Sequence, residues 1–341
     1  MLAFILRRFA LLPFVGLGVT ILLFGLLQFL TPEMRASLYV KDPRQLSAME
    51  EVIRRYHLRD PFPVQYGVWL KQLLKGDLGY SETAKMPVEK AVKAFFPATL
   101  ELAVFSFLPI LFLGVWLGTQ AAVKKDKWLD HLSRFLAITG YSLPSFVLGL
   151  LLLMIFYGQL KLLPPGRFSL ETDLLIHTDK FQQYTGLLLV DSLLNRNLSV
   201  FWDILKHLIL PAFTLCYINV ALLVRITRSS MLEEINKDYV RTARAKGLEE
   251  SVVINKHARK NALIPVITLS SLLFVGILGG VVITETVFNY PGIGRWGVTA
   301  ASQLDVPGVM GFALLYACLF VLGNLGADLL YAYVDPRIRL K

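Results

Sequence analysis

Six apolar stretches, each near the roughly 20 residues that a bilayer's hydrocarbon core demands, constrain this chain before any motif is read. They run at about 9–30, 98–123, 135–163, 207–224, 263–287 and 309–333. Inside hydrocarbon every backbone N–H and C=O must be satisfied within the chain, so such stretches fold as helices. Hydrophobic residues make up 55% of the 341, and the mean hydropathy is +0.56. The formal net charge of +10 would suit a nucleic-acid binder. The placement of the charge argues against nucleic acid, because Lys and Arg gather at the ends of the apolar runs, as the positive-inside rule expects. Cys216 and Cys318 both fall within apolar stretches, which excludes a disulfide framework and offers no metal-ligand spacing.

Taken in order, the chain reads as an all-α membrane protein with six transmembrane helices and both termini in the cytoplasm. Arg7 and Arg8 precede the first stretch, which is too long for a signal peptide's apolar region, and Gln28 and Thr31-Pro32 form no small-residue cleavage site. Residues 31–96 carry both signs of charge and read as an external helical subdomain. Its helices are expected from Asp42-Pro43 to Tyr56, from Asp60-Pro61-Phe62-Pro63 to a stop at Gly76, and from Pro87 to Phe96. Residues 97–341 form a five-span core. Lys124, Lys125 and Lys127 mark an inner turn, and Pro144 is expected to kink the third span. Gly140-Tyr141-Ser142 is no nucleophile elbow, because Pro144 stands where its second glycine would be. Residues 164–206 lie outside, with an apolar patch at 185–194 too short to span. Arg225 and Arg228 return the chain to the cytoplasm, Tyr290-Pro291-Gly292 turns an external re-entrant loop, and Asp335-Pro336-Arg337 ends inside.

Three sets of residues within this frame invite a function. Glu101 is an acid within the second span, placed by Pro97 near a helix N-terminus whose dipole favours a carboxylate. Asn324 and Asp328 sit one turn apart on the sixth span, suited to structural hydrogen bonding or to a proton relay. Gly276 and Gly280 form a small-residue face for close packing, within the chain or against a homologous partner. Beside these three stands the polar loop at 229–262. Its first half, Asp238-Tyr239-Val240-Arg241-Thr242-Ala243-Arg244-Ala245-Lys246, favours helix. Gly247 suits a helix stop, and Leu248 and Glu249 lead into a second helical run toward Pro265. Charge alone would make it a basic loop that fixes orientation.

The order of residues says more. Arg241-Thr242-Ala243-Arg244-Ala245-Lys246-Gly247, with Asn261-Ala262-Leu263-Ile264-Pro265, resembles the EAA loop of ABC importer permeases, in the dipeptide/oligopeptide/nickel branch. Arg241 and Thr242 replace the Glu and Ala of the broad family, and His257-Ala258-Arg259-Lys260 replaces its Ile-x-Leu-Pro; both look like the peptide branch's own variants. The resemblance extends through Pro63-Val64-Gln65-Tyr66, Gly76-Asp77-Leu78-Gly79, Pro97-Ala98-Thr99-Leu100-Glu101, Ser142-Leu143-Pro144-Ser145-Phe146, His207-Leu208-Ile209-Leu210-Pro211, residues 285–294 and Asp335-Pro336-Arg337. Leu30-Thr31-Pro32-Glu33 departs from the family's Pro-Gly-Asp-Pro.

The resemblance implies a type I permease subunit in a bacterial cytoplasmic (inner) membrane, importing di- or oligopeptides. It implies a second homologous permease, two ABC ATPase subunits or domains, and an extracytoplasmic substrate-binding protein. Tyr239, Arg241 to Leu248 and Glu249 would be the ATPase-coupling residues. The chain has no P-loop sequence, so ATP and Mg are expected on the partner ATPases and no cofactor on this chain. A nickel or metal-chelate importer is the alternative within the family. Outside it stand an ion-driven carrier or channel using Glu101 or Asp328, and an intramembrane enzyme, which lacks its motifs.

The topology is testable directly. Single cysteines at Ser47 and Ser251, in a background lacking Cys216 and Cys318, are expected to label with impermeant reagent from opposite sides; labelling from one side breaks the six-span reading.

Overall fold

The computed structural model describes residues 2–36, 39 and 49–334. Four helices come first: α1 (Leu2–Leu27), α2 (Pro32–Ala36), α3 (Met49–Arg55) and α4 (Phe62–Leu73). A short antiparallel pair, β1 (Tyr80–Ser81) and β2 (Met86–Pro87), then leads into α5 (Val88–Val123). Next come α6 (Trp128–Ser142) and α7 (Ser145–Leu152), the latter continuing in wider π-type turns to Gln159. The segment at 164–206 carries α8 (Leu170–Ile176) and α9 (Leu188–Leu194), and α10 (Leu198–Ile235) follows it. The loop at 229–262 holds α11 (Asp238–Ala245) and α12 (Glu250–Val252), which passes through π-type turns into α13 (Arg259–Leu278). The chain closes with α14 (Val282–Val287), α15 (Ile293–Ser302) and α16 (Val306–Val334).

Among the described residues, four helices are long and apolar enough to cross a membrane: Val88–Val123, Leu198–Ile235, Glu250–Leu278 and Val306–Gly326. The expected third span is a bent pair, α6 and the helix from Ser145 to Gln159, turned through 100° at Leu143-Pro144; counted as one, it makes five. Pro144 cannot donate its missing N–H and disfavours helix at Leu143, which is extended at ψ 118. Within α1 the described side chains give an apolar run of Pro13–Leu27. The fifth span ends at Leu278 instead of running on to Val287. Gly279 caps it, and Gly280 takes φ +101 against Gly294, a conformation open to glycine and costly to other residues.

The helix expected from Asp42-Pro43 to Tyr56 falls partly on residues outside the described ones, and its described part is α3. The helix expected to end at Phe96 continues without a break through Pro97 as α5. Pro97 forfeits the hydrogen bond to the carbonyl of Lys93, which lies on an exposed turn. By contrast α4 starts at Pro61-Phe62 and stops before Gly76 at φ +79, as expected. Among the described residues the subdomain has no separate core. Ile53, Leu58 and Trp69 pack with Phe24 and Leu27 of α1 and with Val306 and Met310 of α16. Arg35, buried beneath, donates to the Gln28 and Gln65 side-chain carbonyls at 2.6 and 2.7 Å.

The centre is α5, α10 and α13, joined by Leu102 and Ile110, Leu208 and Leu223, and Val266 and Ile277. Lipid tails are as apolar as leucine, so helices there adhere by close contact, which small residues permit. Gly114 and Gly118 of α5 supply that contact, lying against Leu223 and Thr227 of α10. The expected pair Gly276 and Gly280 does not: a side chain at Gly276 would meet nothing within 4 Å, and Gly280 lies beyond the helix end.

An added Cβ at Gly118 would sit 2.5 Å from Thr227 Cβ and 2.9 Å from the Val224 carbonyl oxygen. Gly118→Ala is therefore expected to destabilise the chain by about 1–3 kcal/mol. Gly276→Ala is expected to be neutral or to stabilise by up to about 1 kcal/mol, through helix propensity. Thermal unfolding of the two purified variants in detergent checks the contrast.

Candidate functional site

The loop at 229–262 is a folded hairpin. Asp238 opens α11 with a carboxylate at the positive end of the helix dipole. Gly247 follows at φ +77, its N–H bonded to the Arg244 carbonyl at 2.9 Å, and reverses the chain. The apolar side of α11 is short. Val240 and Ala243 are buried with Met231 of α10, Ala122 of α5, and Val253, Ile254, Ala258 and Ala262 of the returning strand of helix. Three long helices thus end on one small apolar cluster that also seats the hairpin.

Polar bonds fix the hairpin's orientation. The Tyr239 hydroxyl donates to Glu234 at 2.5 Å and accepts from the Asn261 amide at 3.0 Å, tying the end of α10 to the start of α13. Burial, then the bond to Glu234, pushes that hydroxyl above the usual phenol range, so Tyr239 stays a neutral donor. Arg244 grips Glu250 with two bonds of 2.7 and 3.0 Å across the Gly247 turn. That pair is exposed and adds little stability. Thr242 closes its own turn on the Asp238 carbonyl at 2.9 Å.

The buried position of Ala243 corrects its expected place on a docking face. It packs into its own chain at 6% exposure, since it falls three residues after Val240 on the same helical side. The uncovered face is made of Arg241, Thr242, Arg244, Ala245, Lys246, Gly247, Leu248 and Glu249, all exposed. It presents the three cations Arg241, Arg244 and Lys246 together with Glu249 to solvent.

Glu101 is not at a helix N-terminus, because α5 begins at Val88. Its charge is held by a partner from the outer segment: Arg167 pairs with it at 2.9 Å, and the Leu189 N–H donates at 2.6 Å. Two residues away on α5, Thr99 donates to Glu285 at 2.8 Å and accepts from the Ile293 N–H at 2.8 Å. Glu285 also accepts from the Arg295 N–H at 2.6 Å, capping α15. Burial pushes its carboxyl above the usual carboxylate range, against the pull of these donors. Asn324 is half-buried on α16, and the side chain of Asp328 lies outside the described residues.

Sequence reading missed four groups. Glu285 lay in a turn noted for Tyr290-Pro291-Gly292, with no sign of a capping carboxylate. Arg167 drew no reading as a partner for Glu101. Arg228 looked like a charge that only fixes orientation and Asp130 drew no reading, yet Asp130 is fully buried and bonded to Arg228 at 2.6 and 2.9 Å. Asp305 is buried too, accepting from Ser81 at 2.5 Å and Thr83 at 2.7 Å, and it fastens the β1–β2 hairpin to the start of α16. Among the described residues no group of three or more His, Cys, Asp or Glu is placed to hold a metal.

Comparison with known proteins follows the same lines. The pattern of the family described as "binding-protein-dependent transport system inner membrane component" matches residues 110–340, hairpin included. The probable D,D-dipeptide transport system permease protein DdpB of Escherichia coli (strain K12) is 43% identical over 328 residues, covering 96% of this chain and 94% of that one. The dipeptide transport system permease protein DppB of Alkalihalophilus pseudofirmus is 40% identical, covering 99% and 100%. The oligopeptide transport system permease protein AppB of Bacillus subtilis (strain 168) is 37% identical, covering 99% of each.

Ala243→Glu is expected to open the hairpin, at about 2–4 kcal/mol for a carboxylate forced into an apolar site. Lys246→Glu, on the exposed edge, is expected to change stability by less than about 0.5 kcal/mol. Hydrogen exchange across 238–262 distinguishes them: protection is lost in the first and kept in the second.

Proposed function

The chain belongs to the family of binding-protein-dependent transport system inner membrane components, the ABC importer permeases of the peptide branch, and from that premise we propose that it forms one half of the pathway of an ATP-driven importer of di- and oligopeptides. The family's part is that of a transport permease, and the long apolar helices make this a multi-pass membrane protein. The peptide substrate is proposed from the names its relatives carry. We place the chain in the bacterial inner membrane, with six spans, both termini inside, and residues 31–96 and 164–206 facing an extracytoplasmic binding protein. A second homologous permease completes the pathway. Two ATPase subunits or domains bind ATP and Mg and supply the energy.

The observation that carries this reading is the two-sided hairpin. One side, Val240 and Ala243, is fused to the inner ends of α5, α10 and α13; the other, Arg241, Thr242 and Arg244 to Glu249, is uncovered. An ATPase groove holding the uncovered side moves three helices at once. Alternating access is a two-state equilibrium, so a partner biases it only by contacting the two states differently. A rigid hairpin provides such a differential contact, and a mobile basic loop does not.

Gly247→Val tests the proposal, because a β-branched residue at positive φ costs roughly 1–2 kcal/mol and distorts the turn. The full complex carrying it is expected to show normal membrane abundance, weakened ATPase copurification, and hydrolysis no longer stimulated by substrate and binding protein. Normal assembly together with normal transport removes the hairpin from the mechanism.

A further inference from the structure

The inner half of α6 buries no apolar side chain completely; Leu129 and Leu132 are half-buried there. The buried residues of the whole helix are Asp130, Ser133 and Gly140. Gly140 meets Ala221 of α10 near the outer end of α6, beside a 2.7 Å bond between the hydroxyls of Thr139 and Tyr217. Ser133 spends its hydroxyl on the Asp130 carbonyl at 2.8 Å. The fully buried link from this end of α6 to a neighbouring helix is therefore the Asp130 carboxylate. Arg228 of α10 meets it as a fork, Nε on one oxygen at 2.6 Å and Nη2 on the other at 2.9 Å. Arg134 adds a bond of 2.8 Å, and the Asp126 N–H one of 3.0 Å that closes the turn from α5.

This attachment differs in kind from its neighbours. Among the described residues, none of α6 belongs to the apolar cluster that joins the hairpin to α5, α10 and α13. Apolar contacts are non-directional, whereas a bidentate Arg–carboxylate pair fixes orientation as well as distance. Beyond its outer end α6 turns through 100° into α7, whose Gly149 lies against Val287 and Phe288, next to the Glu285 carboxylate. A continuous set of packed elements thus leads from the inner hairpin through α10, Asp130, α6 and α7 to the outer loop.

We propose that Asp130 is a positioning residue for transport: through Arg228 it makes the bent α6–α7 pair follow α10, so that displacement of the hairpin reaches the outer loop at Val287-Phe288. The proposal rests on the reading above, in which the hairpin is driven by ATPases. Arg134 and the Asp126 N–H hold the carboxylate at the head of α6, and Arg228 is the one donor that comes from the driven helix.

The test uses the full chain, co-purified with its partner permease and ATPases, reconstituted in proteoliposomes and supplied with binding protein. Uptake of radiolabelled dialanine and ATP hydrolysis are measured together. Asp130→Asn keeps the shape and removes the charge. Peptide imported per ATP hydrolysed is expected to fall about tenfold, an ordinary size for coupling between sites, while the complex assembles. Asp130→Asn combined with Arg228→Gln is expected to be no worse than Asp130→Asn alone, since both break one interaction. If Asp130→Asn fails to assemble, Arg228→Lys, which keeps the charge and loses the fork, is expected to show the lowered ratio. A wild-type ratio in the assembled variants overturns the proposal, as does loss of import and hydrolysis in equal proportion, which marks a merely structural role. A wild-type chain that binds no ATPase, or imports without one, overturns the permease reading instead.

Discussion

A buried carboxylate must be met by a cation or by several donors, and α5 meets this requirement twice within one turn of helix. Glu101 takes Arg167 and the Leu189 N–H, while Thr99 joins Glu285 to the Ile293 N–H. Each set fastens a different loop to the outer end of the same helix. The segment holding α8 and α9 is pinned by the first, and the α14–α15 turn by the second. Neither loop can be released without stranding charge or donors in a dry site, which costs on the order of 3–5 kcal/mol when one partner of a buried pair is lost. These directional bonds hold both loops to the same end of α5.

The inner face is built differently. There the inner ends of α5, α10 and α13 converge with α11 on small apolar residues, Ala122, Ala243, Ala258 and Ala262 among them. Small residues bring backbones close and leave little side chain to obstruct them. The one strongly polar fixture at that end, Asp130 with Arg228, binds α6, which the apolar cluster does not reach. Long helices with Gly114 and Gly118 pressed on α10 connect the two faces as stiff rods.

Much of this was legible in the sequence, and the boundary of legibility is physical. Apolar length located the helices, and Gly247 announced the end of α11, because few residues adopt positive φ. Pro61-Phe62 announced the start of α4. Proline was less reliable elsewhere: Pro97 sits inside α5, whereas Pro144 turns the chain through 100°. The difference lies in whether neighbouring structure carries the helix across the missing hydrogen bond, which local sequence does not encode. The burial of Ala243 was hidden for a related reason, since alanine fits a docking face and a buried seam equally well. Glu101 finds Arg167 across 66 residues, and Asp130 finds Arg228 across 98. Pairings at such separations are fixed by packing, and periodicity says nothing about them.

The contrast between the faces bears on how such a chain can have two states. Directional hydrogen bonds weaken steeply once their angle and distance depart from the ideal, so a clasp built from them is either made or broken. A seam of small apolar residues keeps most of its contact as it slides. Under the permease reading, the ATPases act at the face that tolerates gradual displacement, and the all-or-none change belongs to the face that binds or releases the outer loops. That division requires no long-range charge movement across the bilayer. It requires that α6 and α7, the elements touching both faces, be held to α10 by something that does not slide. The forked pair of Asp130 and Arg228 has that property, and among the described residues it is the only bidentate ion pair between the bent helices and α10.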